Sequence, residues 1–162
     1  MLIPPSLTLH AAFLESHQEW GPGEHEDGFG LDASDDVESP EGFAAWVAAL
    51  SAGAGRCTYR WIVDNDRIVG AIALRHEDND FTMRLGHIGY GIRPSARRLG
   101  LASWAVREML TVARQVGLAR VLLVCENDNV PSARMIESLG GVPEESDPAG
   151  ERRYWIALDN PL

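Results

Sequence analysis

The chain contains no lysine; all fourteen of its basic residues are arginine. That absence excludes every mechanism that needs a protein lysine. Among these are the phosphate-loop lysine of nucleotide hydrolases, a Schiff base to a carbonyl or pyridoxal, the kinase lysine and the Ser-x-x-Lys nucleophile. An arginine-only usage is also what a GC-rich genome produces. Cysteine is scarce as well. Cys57 and Cys125 stand 68 positions apart, which is neither a zinc pattern nor a disulfide framework, so a reduced cytoplasmic protein is expected. No apolar run approaches the roughly 18 residues of a membrane helix, so no membrane partner is expected. The stretch from Met1 to Leu9 has two prolines and no positive charge, unlike a signal peptide.

Basic residues are also missing from one region. Residues 1–55 hold ten acids and no arginine, whereas residues 56–162 hold fourteen acids and fourteen arginines. The net charge of −10 therefore lies entirely in the first third. Phosphate backbones need a basic footprint, so no nucleic-acid partner is expected. An acidic third attracts a cationic partner, or else it is only a solvated surface. What remains is ordinary for a globule. The 162 residues are 45% hydrophobic and 23% charged, which fits one domain over 1–162.

Residues 9–19 read as a short helix and 20–39, rich in Gly, Asp and Glu, as a long loop. Ser39 caps a second helix that starts with Pro40 and runs to about Leu50. Residues 57–63 and 67–75 flank Asp64-Asn65-Asp66 and read as a hairpin. A polar loop over 76–84 and a strand over 85–92 follow. Apolar positions Leu99, Ala102, Val106, Met109, Ala113 and Val116 step by three and four, which predicts a helix over 99–116. Residues 121–125 form a continuous apolar run, as in a buried strand. A helix over 131–139 and a strand over 153–158 complete an α/β (α+β) domain with a mixed sheet.

The stretch 88–102 (IGYGIRPSARRLGLA) joins a strand to a helix through a turn rich in Arg and Gly. A helix start offers unpaired N–H groups and a positive dipole end. Gly100 and Ala102 lack bulk, and Arg97 and Arg98 add charge, so the segment reads as a pyrophosphate cradle. A dinucleotide fingerprint fails, because Pro94 stands where its third glycine should be. In strand 86–92, His87, Gly89 and Gly91 share one face by period two. The two glycines leave room for a chain-like group, or else for tight packing of strand on helix.

Arg97-Arg98-Leu99-Gly100-Leu101-Ala102 resembles the Arg/Gln-x-x-Gly-x-Gly/Ala signature of the GNAT superfamily of N-acetyltransferases. Asn127-Asp128-Asn129-Val130-Pro131-Ser132-Ala133 resembles that superfamily's second motif. The longer run HIGYGIRPSARRLGLA is similar to a bacterial subset of predicted acetyltransferases. The resemblance implies a GNAT-like mixed central sheet with helices on both faces, and acetyl-CoA as cosubstrate with no metal. It implies that the backbone of Arg97, Arg98, Leu99, Gly100, Leu101 and Ala102 binds the pyrophosphate. Strands 85–92 and 121–125 would run parallel and splay. Pantetheine would lie between them, paired with the backbone near Ile92 and touched by Asn129 and Ser132. It implies an N-acetyltransferase working by direct transfer in a ternary complex, on a small-molecule or peptide amine; a homodimer is compatible with it. The acid that many members carry is a tyrosine seven positions after the asparagine, and here that position is Ile136.

Direct transfer needs a base near the amine and a proton for the leaving thiolate. His87 is the first candidate base, since imidazole titrates in the useful range. Glu126, at the end of the buried strand, is the second. His76 and Glu77 follow the hairpin and could line an acceptor cleft. Tyr90 and Tyr154 are candidate proton donors. Another acyl donor remains open, as does a non-catalytic acyl-CoA sensor with this fold. The ten acids, with Trp20 and Phe29 in the loop, suggest an acceptor with extra positive charge.

Overall fold

The computed structural model describes residues 1–21, 26–145 and 150–158. A two-residue strand β1 (Leu2–Ile3) leads through a 3-10 turn to α1 (His10–Trp20). Helix α2 (Pro40–Ala52) begins where Ser39 accepts from the Gly42 N–H, with proline in its first turn. Strands β2 (Cys57–Asp64) and β3 (Arg67–Arg75) form the expected hairpin. Its turn residues Asn65 and Asp66 have φ of 48° and 60°, the left-handed pair that a tight hairpin requires. The polar stretch after β3 contains a short helix α3 (Asp80–Leu85), capped by Asn79 onto the Thr82 N–H. Strand β4 (Ile88–Ile92) therefore starts later than periodicity suggested. Next come α4 (Leu101–Gln115), β5 (Arg120–Glu126), α5 (Val130–Ser138), the short β6 (Val142–Pro143) and β7 (Glu151–Ala157).

The α/β class holds, with helices on both faces, but the strands form two antiparallel sheets rather than one. One has the order β1-β2-β3-β4 and the other β5-β7-β6. Every ladder among the described residues is antiparallel. Two cores flank the first sheet. On one face Trp61 and Ala71 meet Phe13 of α1, Phe43 and Trp46 of α2, and Phe29 of the loop between these helices. The Phe13 ring lies 4.9 Å from Trp46 and 5.9 Å from Trp61. On the other face Ile72, Leu74 and Ile88 meet Val106, Met109 and Ala113 of α4, and β5 and β7 close that core. The predicted stripe of α4 holds in its middle but not at its ends. Leu99 and Val116 lie just outside the helix and are exposed.

Candidate active site

The two sheets meet at one point. The His87 N–H donates to the Leu122 carbonyl at 2.7 Å, and an isolated bridge joins Gly86 to Leu123. Beyond that junction no backbone bond links β4 to β5 among the described residues; β4 pairs with β3, and β5 with β7. A cleft therefore opens between the strands.

The start of α4 lies past Ile92, the last residue of β4. Gly100 stands at its N-cap with φ +76°, and no side chain caps the helix. The first N–H groups of α4 are thus left for an external acceptor. A Cβ placed on Gly100 would meet nothing within 4 Å, so the space above the turn is open. Arg97, Arg98, Leu99 and Gly100 are exposed, while Leu101 and Ala102 are half-buried against the α4 core. These features fit a pyrophosphate: open space, uncapped donors and the dipole end of a fifteen-residue helix. Arg97 is turned aside. Its Nε donates to the Ile92 carbonyl at 3.0 Å, and its guanidinium lies 5.4 Å from the centre of the Trp20 ring.

Tyr90 bridges the cleft. Its hydroxyl donates to Ser132 Oγ at 2.8 Å, near the start of α5. Burial pushes its pKa up to about 12. Asn129 caps α5, with Oδ1 accepting from the Ser132 N–H at 3.3 Å. Ile136 fills the core at 1% exposure, so an apolar packing residue stands at the family's usual tyrosine position. Tyr154 is buried and donates to Glu137 Oε1 at 2.9 Å.

The reading of His87 as a base needs correction. The ring is fully buried, and both nitrogens are engaged. Nδ1 accepts from the Leu122 N–H at 3.0 Å, which leaves Nε2 to donate to Asp78 Oδ1 at 2.8 Å. That tautomer has no free lone pair for an amine. Burial lowers the pKa of the ring, and Asp78 offsets this in part. His87 is the pin of the junction between the sheets. His76 is engaged too, with Nε2 at 2.8 Å from Thr58 Oγ1 and Nδ1 at 3.2 Å from the Gly55 carbonyl. Glu126 is exposed at the end of β5. By period two it shares a face with Leu122 and Val124, opposite Val121 and Leu123, which join the α4 core.

The glycine slot divides. A Cβ on Gly91 would meet the Asp27 carbonyl at 2.7 Å and Trp20 at 3.0 Å, so the loop after α1 occupies that side. Gly89 stays open, with only the Arg75 guanidinium at 3.8 Å. Trp20 and Phe29 are core residues, at 5% and 0% exposure, and neither is placed to stack on a substrate.

The acidic third is not uncompensated either. Arg93, 2% exposed, donates to Glu15 Oε1 at 2.9 Å, to Glu15 Oε2 at 3.1 Å and to Glu19. Arg67 also reaches Glu15, at 3.1 Å. The Arg93 hydrogen bond, with help from Arg67, holds the Glu15 carboxyl down at about 2. Burial pushes Glu19 up, but hydrogen bonds from Ser95 and Arg93 outweigh it and hold its carboxyl below the usual range. Glu26 pairs with His17, while Asp32 and Asp36 accept from their own loop at Ser34 and Ser39. Glu24 lies outside the described residues.

One group was not foreseen. An open cavity of about 180 Å³ lies at the end of the hairpin, lined by Arg56, Cys57, Tyr59, Arg75, Phe81 and Glu77 among others. It sits on the α1/α2 face, because register aligns Tyr59 with Ala73 and Ala73 with Gly89. Glu77 is the acid of its lining. Burial raises the Cys57 thiol and pushes Tyr59 up to about 12, so both are neutral. Only the strand register, which a single sequence does not display, brings these residues together.

The chain matches the model of the acetyltransferase (GNAT) domain over residues 7–142. No curated protein matches it by sequence. Solved structures share its fold at low identity. A ribosomal-protein α-N acetyltransferase solved with coenzyme A has 17% identity and a TM-score of 0.74, covering 98% of this chain and 93% of its own. A ribosomal-protein-S5-alanine acetyltransferase from Vibrio fischeri has 20% identity and a TM-score of 0.71, covering 99% and 92%. The microcin C7 self-immunity acetyltransferase, solved with acetyl-CoA and AMP, has 14% identity and a TM-score of 0.70, covering 96% and 91%.

Proposed function

Because the chain belongs to the GNAT family of acetyltransferases, whose donor is acetyl-CoA, we propose that it transfers acetyl directly to a primary amine in a ternary complex. The amine belongs to a small molecule or a peptide. The observation that best supports this reading is the cleft between β4 and β5, with the uncapped start of α4 at its mouth and the Tyr90 hydroxyl inside. Arg97 to Ala102 would bind the pyrophosphate, and Ile92, Asn129 and Ser132 the pantetheine arm. A reducing, cytoplasmic and bacterial setting belongs to the same reading; both cysteines are unpaired, and one of the similar structures comes from Vibrio.

In the transfer, the amine nitrogen bonds to the acetyl carbonyl carbon and the carbon–sulfur bond breaks. One proton leaves the nitrogen and one reaches the sulfur. Tyr90 is the donor beside the sulfur. A thiol has a reference pKa near 8.5, below that of Tyr90, so the hydroxyl turns from Ser132 to steady the thiolate by a hydrogen bond while a solvent proton arrives through the Ser132 hydroxyl it has released. Glu126 takes the amine proton through water, since it is exposed and lies on the face away from the α4 core.

The test is thiol release across a panel of amines, with coenzyme A affinity measured by calorimetry. Tyr90→Phe should lower kcat on the order of 10–100-fold, the worth of one hydrogen bond to a charged group, at unchanged affinity. An unchanged kcat removes Tyr90 from the chemistry. Intact coenzyme A binding with no thiol release from the wild type would overturn the enzyme reading in favour of a sensor.

A further inference from the structure

The cavity beside Gly89 holds two arginines with no carboxylate partner among the described residues. Arg93 and Arg67, by contrast, are tied to Glu15. Arg75 donates Nη1 to the Gly86 carbonyl at 2.8 Å and leans on Phe81 at 5.2 Å from the ring centre. These contacts fix its guanidinium, and the part of it that lines the cavity is left for a ligand. Arg56 lines the same cavity and is exposed. Glu77, also exposed, is the single acid of the lining. Phe81 is 51% exposed, and its ring lies beneath the guanidinium groups of Arg75 and Arg84. Gly89 stands three strand residues, about 10 Å, before Ile92, so the cavity adjoins the stretch of β4 that borders the cleft. Its volume of about 180 Å³ is below the usual 300–1,000 Å³ of drug-sized sites, so it suits one amino-acid-sized group.

We propose that this cavity is the acceptor site and that the acceptor is an amine bearing a carboxylate a few bonds away, held by Arg75 and Arg56 with its apolar body on Phe81. A fixed guanidinium matches a carboxylate with two parallel N–H bonds. Ala73 and Gly89, adjacent across the sheet, add only a methyl group and a hydrogen beside the Arg75 guanidinium. The inference rests on the acetyltransferase reading above and names its substrate class, an anionic acceptor where charge counting suggested a cationic one.

The experiment compares leucine, leucinamide, 2-aminoethyl phosphate and 1,4-diaminobutane as acceptors, with rates expressed per neutral amine. A second arm measures binding of leucine to the protein saturated with coenzyme A, by chemical-shift changes at Arg75 and Phe81. Leucine should exceed leucinamide in kcat/KM by about 10-fold or more, the range for charge-assisted bonds. Arg75→Gln should bring that ratio close to one, Arg75→Lys should restore it in part, and Arg56→Gln, on an exposed residue, should lower it. Equal or better use of leucinamide, the phosphate or the diamine overturns the proposal. If no amine is acetylated, the acetyltransferase reading fails by itself. Binding of leucine at Arg75 and Phe81 would still support the site, and its absence there would overturn it.

Discussion

Arg75 ends β3 and Arg93 follows the end of its neighbour β4, and they do opposite things. Arg93 is 2% exposed and surrounded by Glu15, Glu19 and the Ile68 carbonyl. Arg75 has a carbonyl and a ring for company and one open edge beside a cavity. The difference lies in the facing element. Helix α1 brings two carboxylates over the end of β4, whereas the hairpin end faces α3, whose Phe81 offers only a ring. An arginine matched by acids secures the fold; one held in place without an acid keeps its charge for something else. The same contrast separates Arg153, bonded to Glu144 at 2.6 Å, from Arg98, which is exposed on the loop before α4.

The sharpest way to break this contrast is Arg93→Met. It strands Glu15 and Glu19, and the loss should be about 2–4 kcal/mol, discounted from the buried-pair range because Glu15 is half exposed. By calorimetry the melting temperature should fall roughly 4–16 °C. Acid adds a second readout. The folded pKa of Glu15, about 2, lies below its ordinary 4.5. Its contribution is therefore complete above pH 4.5 and is lost as pH falls toward 2. The gap between wild type and variant should narrow across that window. A gap that ignores pH would show that pairing is not its source.

Gly100→Val tests the open side. A β-branched residue at φ +76° is strained by about 1–3 kcal/mol, and its side chain would enter the space left for the pyrophosphate. Coenzyme A affinity should fall at least about tenfold with the fold retained. Equal affinity would remove the cradle from this turn.

The smallest effect expected is that of His87→Gln, and its kind matters more than its size. Loss of the Leu122 and Asp78 bonds should cost about 1–3 kcal/mol, seen as a lower melting temperature. The pH dependence of kcat should not lose a limb. A lost limb at unchanged stability would return His87 to the chemistry.

The sequence exposed the elements better than their meeting. Helices α2 and α4, the hairpin and β5 follow from caps, turn residues and apolar periods, all local signals. Helix α3 escaped because six residues around exposed Phe81 and Leu85 show no apolar stripe. The turn at Gly100 was legible because its chemistry is contiguous. His87 misled because its burial is set by Asp78 and Leu122, from a different loop and a different strand. Arg93 read only as the end of a strand, since Glu15 and Glu19 lie more than seventy positions away. Tyr90 and Ser132 come from separate motifs, and only the folded chain brings them into contact.

The junction at His87 also gives the cleft a closed end. Tyr90 lies three strand residues from it, about 10 Å, while the mouth lies past Ile92. The gap between β4 and β5 is therefore open at one end only, and the end at His87 cannot open without parting the two sheets.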